Sequence, residues 1–292
     1  MAKCYAQFID HYATSMQEPD RAQDFYCRVL GGTVLRKHLP QLTVTLGASA
    51  IALFGDEQRG LPYRPGPRGI PRFAFEVATE DFPKLMDRLR AAGREFEGPD
   101  GADGDDATHV WLHDTEGNYL EFVDRGRPKE HADEEIELVR IDHVEYEDSE
   151  LNRTAEFYTE AMGFEVAGRG LSPEGHPYLD LRLPTSGQVI RFHRVAEPSI
   201  VFTETFHGHH LAFNAKAKQY DEAVRRLIDY GVVLAHRPVP EDQGGLTSYF
   251  VDPNGHRLSL GPERSRRASE VRARGPGSQG GPREASAPTG SG

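Results

Sequence analysis

Residues 113–124, HDTEGNYLEFVD, return at 251–262 as VDPNGHRLSLGP. Both segments run Asp, two residues, Gly, two residues, Leu, and each reads as a turn feeding a strand. The first then places Glu121 where the second places Ser259. A strand written twice, once with a carboxylate and once with a hydroxyl, indicates a duplicated architecture whose two cavities differ chemically.

The duplication extends outward. FIDHYATSM at 8–16 and RIDHVEYED at 140–148 both carry Ile-Asp-His within an alternating apolar pattern expected of a strand. Each precedes a helix-like stretch, EPDRAQDFYCRVLGG or DSELNRTAEFYTEAMGF, with Phe-Tyr at its centre. Gly31 and Gly163 close these stretches, as suits a left-handed helix end. Short β-type runs follow in each half: QLTVTL with AIALFG, and YLDLRL with QVIRFH. A second unit then opens as RFAFEVATEDFPKLMDRLRAAG at 72–93 and HLAFNAKAKQYDEAVRRLIDYG at 210–231, each a strand followed by an amphipathic helix. Arg72 to His210 and Glu121 to Ser259 are the same displacement, 138 residues. The chain therefore reads as an α+β protein of four βαβββ modules. Residues 1–124 are expected to form a first domain from modules 1 and 2, and 138–262 a second from modules 3 and 4. The polar segment 125–137 reads as the linker. Residues 263–292, rich in Gly, Pro, Ser and Arg, read as a disordered tail.

Bulk properties narrow the classes. Of 292 residues, 37% are hydrophobic and 27% charged, as in ordinary globular proteins. A formal net charge of -12 without a basic stripe argues against nucleic acid or an anionic membrane as partner. The opening MAKCYAQFIDHYATSM lacks a signal-peptide core, and no apolar run has spanning length. Cys4 and Cys27 are the only cysteines and show no metal or disulfide spacing, so a cytoplasmic location is expected.

The chemistry-bearing residues concentrate in the second half: His143, His193, the run His207 to His210, and Tyr249. Alternation puts His143 on one face with Glu145, and Arg191 on one face with His193. Imidazoles reaching a single cavity from different strands suit a divalent transition metal, usually with a carboxylate as third ligand. A lone strand histidine is ordinarily a hydrogen-bonded structural residue. What distinguishes His143 and His210 is that each opens a repeat unit.

On these residues the chain resembles the vicinal oxygen chelate superfamily, whose paired βαβββ units form cups around a metal. Its four-unit layout over residues 5–262 is similar to the type I extradiol ring-cleaving (catechol) dioxygenases. That resemblance implies Fe(II), or another divalent metal, in the second domain, bound by His143 and His210. It also implies His193 as acid-base residue, Tyr249 as a hydrogen-bond donor to substrate, and a small aromatic substrate with O2. Homo-oligomers are common in the family. Ser259 departs from the pattern, since it stands at the metal-binding Glu position and a neutral hydroxyl is a poor iron ligand. Three arrangements remain open: two histidines with water or an anion, Glu145 as substitute ligand, or no metal at all. Glu145 pairing with Arg191 competes with the second. In the first half Arg72 replaces the second histidine, so an Arg72–Glu121 ion pair in a metal-free structural domain is expected, with His109 and His113 as the alternative, a metal site in that half. Competing functions are an aromatic-binding or resistance cup, and an isomerase or lyase acting on vicinal oxygens without O2.

Overall fold

The computed structural model describes residues 3–38, 41–55, 70–100, 106–132, 135–172, 175–198, 209–234, 239–240 and 246–263. His207 and nearly all of the expected tail lie outside these residues. Module 1 comprises β1 (Ala6–Met16), α1 (Pro19–Gln23, continued by a π-helical segment Asp24–Val29), β2 (Thr33–His38), β3 (Gln41–Leu46) and β4 (Ser49–Gly55). Module 2 comprises β5 (Arg72–Val77), α2 (Phe82–Ala91), β6 (Glu97–Asp100), β7 (Thr108–His113) and β8 (Tyr119–Asp124). Module 3 comprises β9 (Leu138–Asp148), α3 (Leu151–Glu160), β10 (Glu165–Leu171), β11 (Pro177–Arg182) and β12 (Val189–Arg194). Module 4 comprises β13 (His210–Ala215), α4 (Tyr220–Asp229), β14 (Val239–Pro240), β15 (Leu246–Val251) and β16 (Arg257–Pro262). The α+β class and the four repeats are those of the sequence reading. Among the described residues no helix is long and apolar enough to cross a membrane.

The partnership of the modules differs from the expected one. One eight-stranded sheet runs β14-β15-β16-β13-β1-β4-β3-β2, joining modules 1 and 4. The other runs β10-β11-β12-β9-β5-β8-β7-β6, joining modules 2 and 3. Residues 1–124 and 138–262 therefore each contribute to both sheets. The linker supplies a physical reason. Thr79 N–H donates to the Arg127 carbonyl and Ala78 N–H to that of Glu137, while Lys129 Nζ lies 2.7 Å from Asp81. The chain leaving β8 is thus folded back against the end of β5, and β9 is laid antiparallel beside it. Modules 1 and 4 are left to pair through β1 and β13.

A single core continues through both sheets, drawing buried residues from every module. Tyr12 of β1 stacks on Phe73 of β5 at 4.5 Å and lies 6.4 Å from Tyr146 of β9. The Ile-Asp-His repeat sits at this seam, and in both copies the strand register shifts there, between Ile9 and His11 in β1 and beside Ile141 and His143 in β9. Such irregularities free backbone groups that must find other partners when buried. Ser49 and Gln188 provide them. Ser49 Oγ donates to the Ile9 carbonyl and accepts from Ile141 N–H. The Gln188 amide accepts from Ile9 N–H and donates to the Ile141 carbonyl.

Gly47, in the turn between β3 and β4, has φ +62°, and a Cβ there would overlap the carbonyl groups of Leu138 and Val139 in β9. Ala48 N–H also donates to the Val139 carbonyl. Gly47→Ala is expected to lower stability by about 3 kcal/mol, from positive-φ strain and loss of this close approach. Urea unfolding checks it; a loss under about 1 kcal/mol would mean the turn lifts away without cost.

The two Asp-x-x-Gly turns are equally built. Asp114 Oδ1 accepts from the N–H groups of Glu116 and Asn118, and Oδ2 from the Asn118 amide and the Tyr26 hydroxyl, all within 2.8 Å. Asp252 repeats the scheme with the N–H groups of Asn254 and His256, the His256 ring and the Tyr158 hydroxyl. The repeated Phe-Tyr of each helical stretch and the repeated Asp of each turn are therefore partners, and they tie module 1 to module 2 and module 3 to module 4.

Candidate metal centre

Each sheet presents inward residues at equivalent positions, and the two sets are chemically unlike. In the sheet of modules 2 and 3, Arg72 lies opposite Glu145, Ala74 opposite both His143 and Glu121, and Trp111 opposite Glu121. Glu121, His143 and Glu145 each offer a ligand atom, and these atoms lie within 4.8 Å of one another. All three residues are buried. His143 Nε2 is 3.2 Å from Glu121 and 3.4 Å from Glu145. Its Nδ1 is held at 2.8 Å by Asp142, which also takes a two-pronged contact from Arg125. The register shift in β9 thus brings the Asp of Ile-Asp-His into position to orient the ring behind it, leaving Nε2 aimed at the carboxylates.

Four more groups complete the cluster. Arg72 lies 3.2 Å from Glu121 and 2.7 Å from Glu145. His109 lies 2.5 Å from the other Glu121 oxygen, and His193 Nε2 lies 2.7 Å from the other Glu145 oxygen. Trp111 stacks on His109 at 5.7 Å. Burial alone would raise both carboxyl pKa values. For Glu121 the charge of His143, the bonds from His109 and His143, and Arg72 outweigh burial and bring it down to about 2. For Glu145, Arg72, His143 and His193 do the same, well below the usual range. Burial opposes a charge on His143, yet Glu121, Asp142 and Glu145 hold its pKa well above that of an ordinary imidazole. The cluster opens on a cavity of about 620 Å³, whose lining includes His109, Glu121, Asp142, His143 and Arg191.

The sheet of modules 1 and 4 carries the other half of the expected site. His11 Nε2 faces His210 Nε2 at 3.1 Å, and Asp10, itself bonded by Asn214, holds His11 Nδ1. Tyr249 lies edge-on to His210 at 5.4 Å and opposite Ser259 in the strand register. Ala13 and Ala52 pair where the other sheet pairs Glu145 with Arg191, and Phe54 takes the place of His193. This cup has imidazoles, a phenol and a hydroxyl against a small apolar wall.

His143 and His210, expected to share one ion, therefore belong to different sheets. His143 meets Glu121, and His210 meets His11. The expected set divides into His143, Glu145 and His193 in one cup, and His210, Tyr249 and Ser259 in the other. The contrast between Glu121 and Ser259 becomes a contrast between the cups. Arg72 does pair with Glu121, and it also takes Glu145, the carboxylate expected to pair with Arg191. Arg191 makes a two-pronged contact with Asp180, opposite it on β11, at 2.8 and 3.0 Å. His113 lies outside the cluster, its ring 4.8 Å from Tyr119, and His209 lies 6.5 Å from Tyr12. The sequence pattern places Glu121 in a structural half, paired with Arg72, and offers His109 only together with His113 as an alternative metal site there. The signal that could have placed them is the Asp-His doublet, present in both halves and so available to both cups.

Comparison with known proteins follows this architecture. A model of the Glyoxalase/Bleomycin resistance protein/Dioxygenase superfamily matches residues 8–122 and 140–260. Catechol-2,3-dioxygenase of Bacillus subtilis (strain 168) is 24% identical over 188 residues, covering 55% of this chain and 66% of that protein, just under two thirds of its length. A solved structure from Bacillus subtilis subsp. subtilis str. 168, named "putative dioxygenase", aligns with a TM-score of 0.71 at 15% identity, over 93% of this chain and 91% of that one. Glyoxalase I from Zea mays aligns with a TM-score of 0.62 at 18% identity, over 90% and 94%. At these identities the solved structures show a shared fold.

Proposed function

The chain belongs to the glyoxalase/bleomycin resistance protein/dioxygenase superfamily, and from that membership we propose that it is a divalent-metal enzyme acting on a small molecule with two adjacent oxygens. The ligands are Glu121, His143 and Glu145. The observation that carries this reading is the approach of their three donor atoms to within 4.8 Å, close enough for one ion to bond all three. The donor set fits such an ion: two carboxylates supply charge, and an imidazole with its rear nitrogen on Asp142 is oriented as metal-bound histidines are.

When bound, the metal would supply Lewis-acid polarisation of the chelated oxygens and, as Fe(II), redox chemistry with O2. The remaining work falls to side chains. His109 lines the cavity beside Glu121, where an imidazole serves as acceptor of a substrate hydroxyl proton, and His193 holds the outer oxygen of Glu145. Trp111, stacked on His109, helps fix the plane of that ring.

Within this class we propose Fe(II)-dependent cleavage of a catechol-type ring with O2, supported by the similarity to catechol-2,3-dioxygenase. One observation favours a second reading. Two carboxylates and one imidazole make a harder donor set than two imidazoles and one carboxylate, and suit Mn2+-type Lewis-acid isomerisation or lyase chemistry without O2. The test is anaerobic loading of metal-stripped protein with Fe(II) or Mn2+, then elemental analysis beside His143→Ala, then catechols in an oxygen electrode. One metal per chain in the wild type, lost in His143→Ala, together with O2 uptake and a yellow product, is the expected result. Metal binding without O2 uptake would leave the second reading. Absence of metal from the wild type and from every variant of the cup would end both.

A further inference from the structure

The four oxygens of Glu121 and Glu145 divide in a way that gives Arg72 a role. The outer oxygens face the flanking rings: Glu121 Oε1 lies 2.5 Å from His109 Nδ1, and Glu145 Oε2 lies 2.7 Å from His193 Nε2. The inner oxygens, Glu121 Oε2 and Glu145 Oε1, are the two nearest His143 Nε2, at 3.2 and 3.4 Å. Arg72 engages both of them, through Nε at 3.2 Å and Nη2 at 2.7 Å. The oxygens that an ion beside His143 would need are thus the ones the guanidinium already holds.

A guanidinium cannot coordinate a cation and keeps its proton at any ordinary pH. It and a divalent ion carry the same sign, and the carboxylates they would share have side chains only 2% and 1% exposed, where charge repulsion is weakly screened. The two occupants exclude each other. The repeat strengthens the point, because the residue at the matching position of the other sheet is His210, a side chain able to ligate. Resting on the metal-site reading above, we propose that Arg72 is a resident counter-cation that competes with the metal for Glu121 and Glu145, so that metal uptake requires displacement of this side chain.

Arg72→Met keeps the aliphatic stem and removes the charge. Calorimetric titration of metal-stripped protein with Mn2+, at one pH and salt concentration, is expected to show one site per chain, bound at least tenfold more tightly in Arg72→Met than in the wild type. Arg72→Lys, which keeps the charge without the fork, is expected to fall between them. Adding His143→Ala to Arg72→Met is expected to remove the gain. Circular dichroism and thermal unfolding of the metal-free variants establish that each is folded, with Arg72→Gln replacing any that is not. Binding by Arg72→Met alone would support the proposal in its strongest form, with Arg72 holding the site shut. Equal or weaker binding in Arg72→Met would overturn the competition while leaving the metal site standing. A gain that survives His143→Ala would place the metal elsewhere and overturn it as well. Binding by neither wild type nor variants would remove the metal-site reading and this proposal together.

Discussion

Glu121→Gln is expected to abolish metal binding in the cup of modules 2 and 3 and to lower the stability of the metal-free protein by about 3 kcal/mol. The stability figure follows from the carboxyl's descent from 4.5 to about 2 in the folded state, at roughly 1.4 kcal/mol per pK unit. Breaking a buried ion pair from one side leaves its partners with less compensation for their buried charge. Here those partners are Arg72 and His143, with His109 losing an anionic acceptor as well. The pH dependence has two limbs. Glu121 has a depressed folded pKa, so its contribution is complete above 4.5 and is lost as pH falls through about 2. His143 has a raised folded pKa, so its contribution is complete below 6.5 and is lost as pH rises through its folded value. The metal-free wild type should therefore gain most from this pair between about pH 4.5 and 6.5. In Glu121→Gln the acid limb should shrink. The alkaline limb should move toward neutrality, because the carboxylate that most raises the His143 pKa is gone. Thermal unfolding at several pH values and metal titration read out both effects. A variant that keeps its metal, or matches the wild-type pH profile, would remove Glu121 from the centre.

Asp114→Ala is expected to cost about 4 kcal/mol or more, a large part of the stability of an ordinary domain. Four donors point at this carboxylate: two backbone N–H groups, the Asn118 amide and the Tyr26 hydroxyl. Removing the acceptor leaves them buried without it, at about 1–3 kcal/mol for each one not rescued by water. Asp114→Asn should lie between variant and wild type. One amide oxygen can still serve the two N–H groups, but its NH2 then confronts the Asn118 amide donor. The equivalent Asp252→Ala should be milder toward its helix, because the Tyr158 hydroxyl stands at 3.3 Å where that of Tyr26 stands at 2.7 Å. Urea unfolding of the three variants orders them. A loss below about 1 kcal/mol in Asp114→Ala would show that the turn is held by its backbone rather than by this side chain.

These two residues mark how far sequence alone reaches. Asp114 and Asp252, Tyr26 and Tyr158, and the Asp-His doublets could all be identified from the repeat, because each depends on local geometry: a turn, a helix face, a strand bulge. The four βαβββ modules follow from alternation and spacing for the same reason. His143 with Glu145 on one face of β9 was also readable, as was the Arg72–Glu121 pair.

The choice of partner module was not. Modules built alike present similar strand edges, so the alternating pattern of β1 is as compatible with β5 as with β13. Which pairing forms depends on contacts distant in sequence: the linker clamped by Ala78, Thr79 and Asp81, and the two strand irregularities bridged by Ser49 and Gln188. That choice decides the chemistry. It parts His143 from His210, gives Glu121 to His143, and turns Arg72 from the filler of an inert domain into the neighbour of both candidate carboxylate ligands. Periodicity specifies which face a side chain takes along its own strand. Long-range hydrogen bonding between edges specifies which other side chains share that face, and a metal centre is defined by the second.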